Sequence, residues 1–440
     1  MTGQERKRVA VTGMGVVSPV GNDVATFWKN IKEGKSGAGP VTRFDASRLE
    51  SRVACEVKNF EPGRYMESKE SRKMALFSQF AVAAAVQAWL DAGLPDHRAV
   101  ADDGGAGASP ESATAGPYDL GRVGVVLGNG IGGLEICTES MRKMFDQGPD
   151  RMLPMTVPLM INNEAAGNIA IRLGLGGPAL TAVTACASGT DALGQALDLL
   201  RAGRCEAVLA GGTEAAITEF AMGGFCKLKA LSTERNDRPD EASRPFDKGR
   251  DGFVIGEGAA VLFLEDWDRA VARGVHIYAE LAGYGASCDA YHLTAPDPSG
   301  SGGARALRMA MDDAGMAPAD IDYYNAHGTS TRMNDPVETL MVKAAFGDHA
   351  KKLRISSTKS MTGHCIAAGG AMEVLVCIKA VQEGFVPPTI NLDAPDIEEG
   401  CDLDYTPNIG VRTRVRAAAS GSLGFGGHNA VIIVRSADHD

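Results

Sequence analysis

Two stretches of this chain share one plan, and that plan limits the fold more than any bulk property does. In the first, Ala179–Thr184 is an apolar run that predicts a short buried strand. Apolar residues then recur at helical spacing (Ala192, Leu193, Ala196, Leu199, Leu200) until Gly203, which predicts a helix from Ala187. Residues 353–382 repeat the pattern: a strand over 353–358, a turn of small and hydroxyl residues, and a helix from about Ala368 to Val381. Such a repeat predicts a duplicated α/β architecture with a site between its halves, 1–265 and 266–440. Strands alternating with helices elsewhere predict mostly parallel, buried sheets.

The turns of these units hold reactive groups. Cys186 falls at the strand-to-helix junction among Ala185, Ala187, Ser188 and Gly189, which leave room for a substrate. A helix N-terminus favours the thiolate, and its free amides can hold an oxyanion. Cysteine is equally at home as a small core residue. Two histidines stand in matched hydroxyl-rich turns, His327 in Asn325-Ala-His-Gly-Thr-Ser-Thr331 and His364 in Thr358-Lys-Ser-Met-Thr-Gly-His364. The other six histidines (97, 276, 292, 349, 428 and 439) have no such settings. Lys359 reads either as a solvent-facing strand-end lysine or as a charge that keeps nearby imidazoles neutral. Asp335-Pro336-Val-Glu338 predicts an N-cap, a first-turn proline and a capping-box carboxylate, a structural role.

Composition excludes several classes. A net charge of −11 argues against nonspecific nucleic-acid binding and anionic membrane surfaces, though an acidic partner can still dock on a local basic patch. Nine scattered cysteines without a Cys-x-x-Cys pair predict reduced thiols in the cytoplasm and no zinc site. No stretch approaches a membrane span. Gly13-Met-Gly15 after the first strand resembles a dinucleotide fingerprint only weakly, since the third glycine and the ribose-binding acid are missing. Residues 24–33 predict a short helix, and 68–93 a basic helix start followed by an Ala-rich apolar helix. Lys69, Arg72 and Lys73 share a face there, the pattern of a solvated surface. The Gly-, Ala- and Ser-rich run 101–118 predicts a flexible surface insertion.

Taken in order, Thr184-Ala-Cys186-Ala-Ser-Gly, Asn325-Ala-His327-Gly-Thr-Ser-Thr331, Ser357-Thr-Lys359-Ser-Met-Thr-Gly-His364 and Gly424-Phe-Gly-Gly427 resemble the motifs of β-ketoacyl-[acyl-carrier-protein] synthases, most of all the type II elongating enzymes of fatty-acid synthesis. Val11–Pro19, Arg244–Asp247 and Gly256–Gly258 fit the same pattern. The resemblance covers the chain apart from 101–118. It implies a thiolase-like fold, with two βαβαβ-type halves in five layers (α/β/α/β/α), and a homodimer without a cofactor. It implies that Cys186 carries the acyl chain, that the amides of Cys186 and Phe425 form the oxyanion hole, and that neutral His327 and His364 stabilise the enolate left when malonyl-carrier protein loses CO2. Lys359 would set the electrostatic state of the histidines. Thr329 and Thr331 would bind pantetheine. Phe425 would gate an acyl pocket lined by Ile131, Phe225 and Phe253. Lys69, Arg72, Lys73 and Lys229 would dock the acidic acyl-carrier protein, and a structural cation would sit near Asn325 and Glu373.

The chain departs from the family pattern at Gly421, where Asn is usual, at Leu423 and His428, and at Cys365 after His364. Those changes leave the reacting groups intact and bear on gating, chain length and the cation. Two other readings use the same residues: a ketosynthase of a polyketide or specialised lipid pathway, and a non-catalytic chain-length subunit, which Cys186 argues against. A cysteine hydrolase leaves the second histidine unexplained. A biosynthetic thiolase would carry a second reactive cysteine where Gly424–Gly427 stands.

Overall fold

A computed structural model describes residues 7–96 and 116–438. Ten strands form its main sheet: β1 (Val9–Val17), β2 (Val123–Gly128), β3 (Ala179–Ala182), β4 (Ala207–Glu214), β5 (Gly258–Asp266), β6 (Ala279–Cys288), β7 (Tyr323–Asn325), β8 (Arg354–Ser356), β9 (Ala417–Gly424) and β10 (His428–Arg435). Their order is β8-β7-β9-β10-β6-β1-β5-β4-β2-β3. From the centre outward, the first five strands follow one order and the last five repeat it. Within the main sheet the two halves pair through Ala10↔Glu280 and Val11↔Ala279.

The sheets are mixed rather than mostly parallel. Strands β2 with β3 and β4, and β7 with β8 and β9, pair in parallel. Every other neighbouring pair in the sheet is antiparallel. The cause is the last strand of each half, which turns back beside its predecessor: β9 and β10 form a hairpin, and β5 returns after the long 215–257 connection.

Five layers result. The central layer is α2 (Ser188–Arg201) with α5 (Gly369–Glu383), whose Leu193, Leu197, Leu375 and Val376 share one core with strand residues from both halves. Helix α1 (Leu76–Asp91) covers the outer face of the first half. It is apolar almost all round and buried accordingly. Helices α3 (Ser301–Ala314) and α4 (Asn334–Phe346) cover the second half.

The predicted helix over 68–93 is broken in two. Ser68–Ser71 ends in a turn, and α1 starts after Ala75. Gly13 and Gly15 serve packing rather than phosphate binding. A Cβ at either position would lie 2.1 or 2.0 Å from the Ala88 or Ala84 carbonyl oxygen, so the glycines let α1 lie close on β1. Strand β3, expected to be buried, is a sheet edge with Leu180 43% and Val183 57% exposed in the single chain. The insertion 101–118 lies outside the described residues as far as position 115. Its last residue, Tyr118, is a buried anchor stacked edge-on against Phe263.

Candidate active site

The Cys186 turn is shaped by hydrogen bonds that its own sequence supplies. The Thr184 amide donates to Ser188 Oγ (2.9 Å), and the Ser188 hydroxyl donates to the Ala185 carbonyl (2.6 Å). The Thr184 hydroxyl donates to Asp191, whose other oxygen accepts from Tyr284 (2.7 Å). This bracing holds Ala185 at φ +50°, a conformation costly for a residue with a Cβ. The β9–β10 hairpin closes on the turn because residue 424 is glycine; a Cβ there would sit 2.7 Å from the Thr184 carbonyl.

Burial opposes the thiolate expected from the helix N-terminus. Burial pushes the Cys186 thiol up to about 11, although the charge of Lys359 and the Phe425 amide pull it back. The half-buried side chain joins the apolar cluster of Phe225, Phe253 and Ile366, which lowers the solvation of an anion there. The backbone amides of Phe425 and of Cys186 itself favour the anion, by less than burial opposes it.

The two histidines converge on this sulfur. His364 Nε2 lies 3.0 Å from Cys186 Sγ. The imidazoles of His327 and His364 meet edge to face, with centroids 5.2 Å apart. His364 is fixed by its own backbone, its amide donating to Val254 O (2.7 Å) and its carbonyl accepting from Gly256 (2.9 Å). Both imidazoles are held well below their ordinary pKa, chiefly by burial and next by the charge of Lys359. They are neutral at physiological pH.

Lys359 is buried, 2% exposed, which rules out the solvent-facing reading. Its Nζ lies 3.3 Å from His327 Nδ1 and pairs with the Glu373 carboxylate. Burial pushes Glu373 up to about 7, against the pull of Lys359. An ammonium can only donate, so Nδ1 of His327 accepts and its remaining proton sits on Nε2.

Asp335 and Glu338 hold the loop around His327 rather than capping their own helix. Helix α4 begins two residues early, at Asn334, with Met333 at the N-cap and no side-chain cap. Asp335 instead accepts from the Phe246 amide (2.8 Å). Glu338 accepts the amides of His327 and Gly328, each at 2.7 Å. Buried loop amides compete for these carboxylates and win. Sequence reasoning also passed over Glu214, pushed up to about 8 by burial, which accepts the amides of Gly130 (2.9 Å) and Ile131 (3.3 Å). An acid closing an apolar strand after Gly211-Gly212-Thr213 was the available signal.

One cavity of about 570 Å3 joins these groups. Cys186, His327 and His364 line it with Ile131, Phe225, Phe253, Phe425, Thr329 and Thr331. The hydroxyls of Thr329 and Thr331 lie 3.0 Å apart. Lys229 is exposed at its rim; Lys69, Arg72 and Lys73 are exposed away from the lining. Behind Lys359, Asn325 Oδ1, Glu373 Oε2 and Ser420 Oγ are buried oxygens without hydrogen-bond partners, and Asn325 and Ser420 are register neighbours on β7 and β9. Such a set suits a hard cation better than a transition metal.

Comparison with known proteins agrees with this geometry. The model of the β-ketoacyl synthase N-terminal domain matches residues 6–270, and that of the C-terminal domain matches 278–393. Over 98% of its length and 99% of the relative, the chain is 46% identical to 3-oxoacyl-[acyl-carrier-protein] synthase 2 of Synechocystis sp.. It is 44% identical, with the same coverage, to the protein of that name from Coxiella burnetii. Among solved structures, a type II polyketide ketosynthase in complex with its acyl-carrier protein superposes with a TM-score of 0.87 at 35% identity, covering 99% of this chain and 100% of that one. A β-ketoacyl synthase from Burkholderia phymatum superposes with a TM-score of 0.86 at 32% identity, covering 98% and 99%.

Proposed function

The chain belongs to the β-ketoacyl synthase family, and from that premise we propose that the Cys186 cavity carries out the decarboxylative condensation of 3-oxoacyl-[acyl-carrier-protein] synthase 2 in fatty-acid elongation. The observation that carries this reading is the convergence of one thiol and two neutral imidazoles in one cavity, with His364 Nε2 3.0 Å from Sγ. A type II polyketide ketosynthase and the ishigamide ketosynthase/chain length factor are neighbours too, at 35% and 36% identity, below the 46% and 44% shared with the two 3-oxoacyl-[acyl-carrier-protein] synthases.

The steps follow from the protonation states. Cys186 begins as a thiol, so attack on the acyl thioester needs its proton to leave as the S–C bond forms. His364 Nε2 is placed to relay that proton to the departing pantetheine sulfur. The acyl chain then lies along Ile131, Phe225 and Phe253, and Thr329 and Thr331 hold the pantetheine arm. Malonyl-carrier protein enters next. The C–C bond to its carboxylate breaks, CO2 leaves, and the electron pair becomes an enolate whose oxygen accepts from Nε2–H of His327 and of His364, the latter having passed from the Nδ1–H tautomer that relayed the thiol proton to the Nε2–H tautomer. An imidazolium would instead hold the carboxylate in place, so neutrality aids its loss. The enolate carbon attacks the acyl carbonyl. The amides of Cys186 and Phe425 take the oxyanion, and collapse releases the 3-oxoacyl product and the Cys186 sulfur, which regains a proton.

Exposed Lys69, Arg72, Lys73 and Lys229 supply a positive surface for an acidic acyl-carrier protein. The open edge of β3, with Leu180 and Val183, supplies a self-complementary surface for a homodimer. The unpartnered oxygens of Asn325, Glu373 and Ser420 would hold a structural cation. The two halves divide near residue 266. No described helix is long and apolar enough to cross a membrane, and the nine cysteines are unpaired, which suits the cytoplasm.

Intact-mass analysis after mixing with acyl-carrier proteins of several chain lengths tests the reading. One acyl adduct is expected, absent in Cys186→Ala, with 3-oxoacyl product forming once malonyl-carrier protein is added. An unmodified enzyme would remove the catalytic assignment.

A further inference from the structure

Tyr324 stands on β7, fully buried, three residues before His327 and outside the lining of the Cys186 cavity. Its hydroxyl donates to Glu338 Oε1 at 2.8 Å. That oxygen also accepts the His327 amide at 2.7 Å, and Oε2 accepts the Gly328 amide at 2.7 Å. Asn334 Nδ2 adds a longer bond to Oε2, 3.3 Å. The groups that favour the Glu338 carboxylate are thus hydrogen-bond donors, and nearby Asp335 repels it. Burial pushes the phenol well above its ordinary pKa, so it remains a donor.

The phenol fits because its neighbour is bare. A Cβ at Gly421, on the adjacent strand β9, would lie 2.0 Å from the Tyr324 oxygen. The tyrosine at 324 in this position therefore requires a glycine at 421. The hydroxyl occupies the space a side chain at 421 would otherwise fill.

We propose that Tyr324, given room by Gly421, is a positioning residue for His327. The phenol fixes the rotamer of Glu338, Glu338 fixes the backbone at 327–328, and that backbone aims the imidazole at the enolate oxygen. The proposal rests on the reading of His327 as a donor to the malonyl thioester.

The two half-reactions separate this role from general stability. Tyr324→Phe removes one hydroxyl. Its kcat for malonyl decarboxylation by the acylated enzyme should fall about tenfold, with KM unchanged, since losing one donor to a buried carboxylate loosens the ring. Acylation of Cys186, which does not use His327, should stay within about twofold. Gly421→Ala approaches from the other side, forcing a methyl into the phenol, and should give the same step-selective loss.

Tyr324→Val/Gly421→Asn puts an amide donor where the hydroxyl stood. It should recover at least about half of the decarboxylation rate that Tyr324→Val alone loses. Equal losses in both half-reactions, no loss in Tyr324→Phe, or a folded double variant without recovery would each overturn the proposal. His327→Ala separates the two levels. If it keeps decarboxylating, the reading of the site fails. If it stops while Tyr324→Phe does not change, the positioning role alone fails.

Discussion

The two strand–turn–helix units occupy equivalent stations in the duplicated sheet, yet they are built for opposite tasks. Each places a non-glycine residue at positive φ three positions before its helix: Ala185 at +50° before Ser188, and Ile366 at +48° before Gly369. At the station of Cys186 the second unit has Ala367. Its reactive groups lie upstream, in a longer connection. Only residues 183–184 separate β3 from Ala185, whereas 357–365 separate β8 from Ile366 and carry Lys359 and His364. The first unit begins at an exposed edge; the second is buried almost throughout. Duplication therefore supplies one scaffold, and a longer turn in one copy gives a symmetric pair different contents, a thiol in one and a lysine with an imidazole in the other.

The largest test of that division is Lys359→Met, which removes the second unit's charge. His327 loses the donor that fixes its tautomer, and Glu373 is left unpaired. Decarboxylation should fall by about a hundredfold. Acylation should fall less, because Lys359 only assists the thiol from a distance. Rates of CO2 release and of acyl-adduct formation, measured separately, check this. Equal losses would mean that the second unit serves both steps alike.

A smaller effect is expected where the units touch. They interlock through glycines on each side. A Cβ at Gly189 would lie 2.4 Å from the Ala367 carbonyl, and one at Gly370 would lie 2.1 Å from Thr190 Oγ1. Gly189→Ala must push the two turns apart at backbone rather than at a flexible side chain. It should cost about 1–3 kcal/mol in folding stability, read as a lower denaturant midpoint. Gly203→Ala is the contrast. It keeps a positive φ of 67° but meets only the tip of Lys7, so its cost is strain without a clash.

Much of this was legible in the chain. The matched units, the settings of Cys186, His327 and His364 in their own turns, and the small residues of those turns are local patterns, and locality is what a sequence displays. What was not legible depends on distant partners. Antiparallel return of β5 and β10 reads like any other strand after a connection. An apolar strand reads the same whether it faces a core or another surface, so β3 was taken for buried. Glu338 follows Asp335-Pro336 as a capping acid would, and only the fold brings loop amides to it. Lys359 had two readings until the fold buried it.

The thiol gives the last and smallest test, and it bears on which force governs the first unit. A helix N-terminus draws Cys186 toward the thiolate, and an apolar cavity draws it back toward the thiol. If burial wins, the sulfur is pushed up to about 11, and only a small fraction ionises at neutral pH. A thiol's anion grows as pH rises toward its pKa and levels off above it. Iodoacetamide alkylation of Cys186, followed by peptide mass, should therefore climb about tenfold per pH unit from 7 to 9 without a plateau. A plateau below pH 8 would show that the helix end prevails, and that the first unit activates its sulfur without help from the second. Continued climb would leave proton removal to His364, so the nucleophile of one unit would depend on the turn of the other even before malonyl-carrier protein arrives.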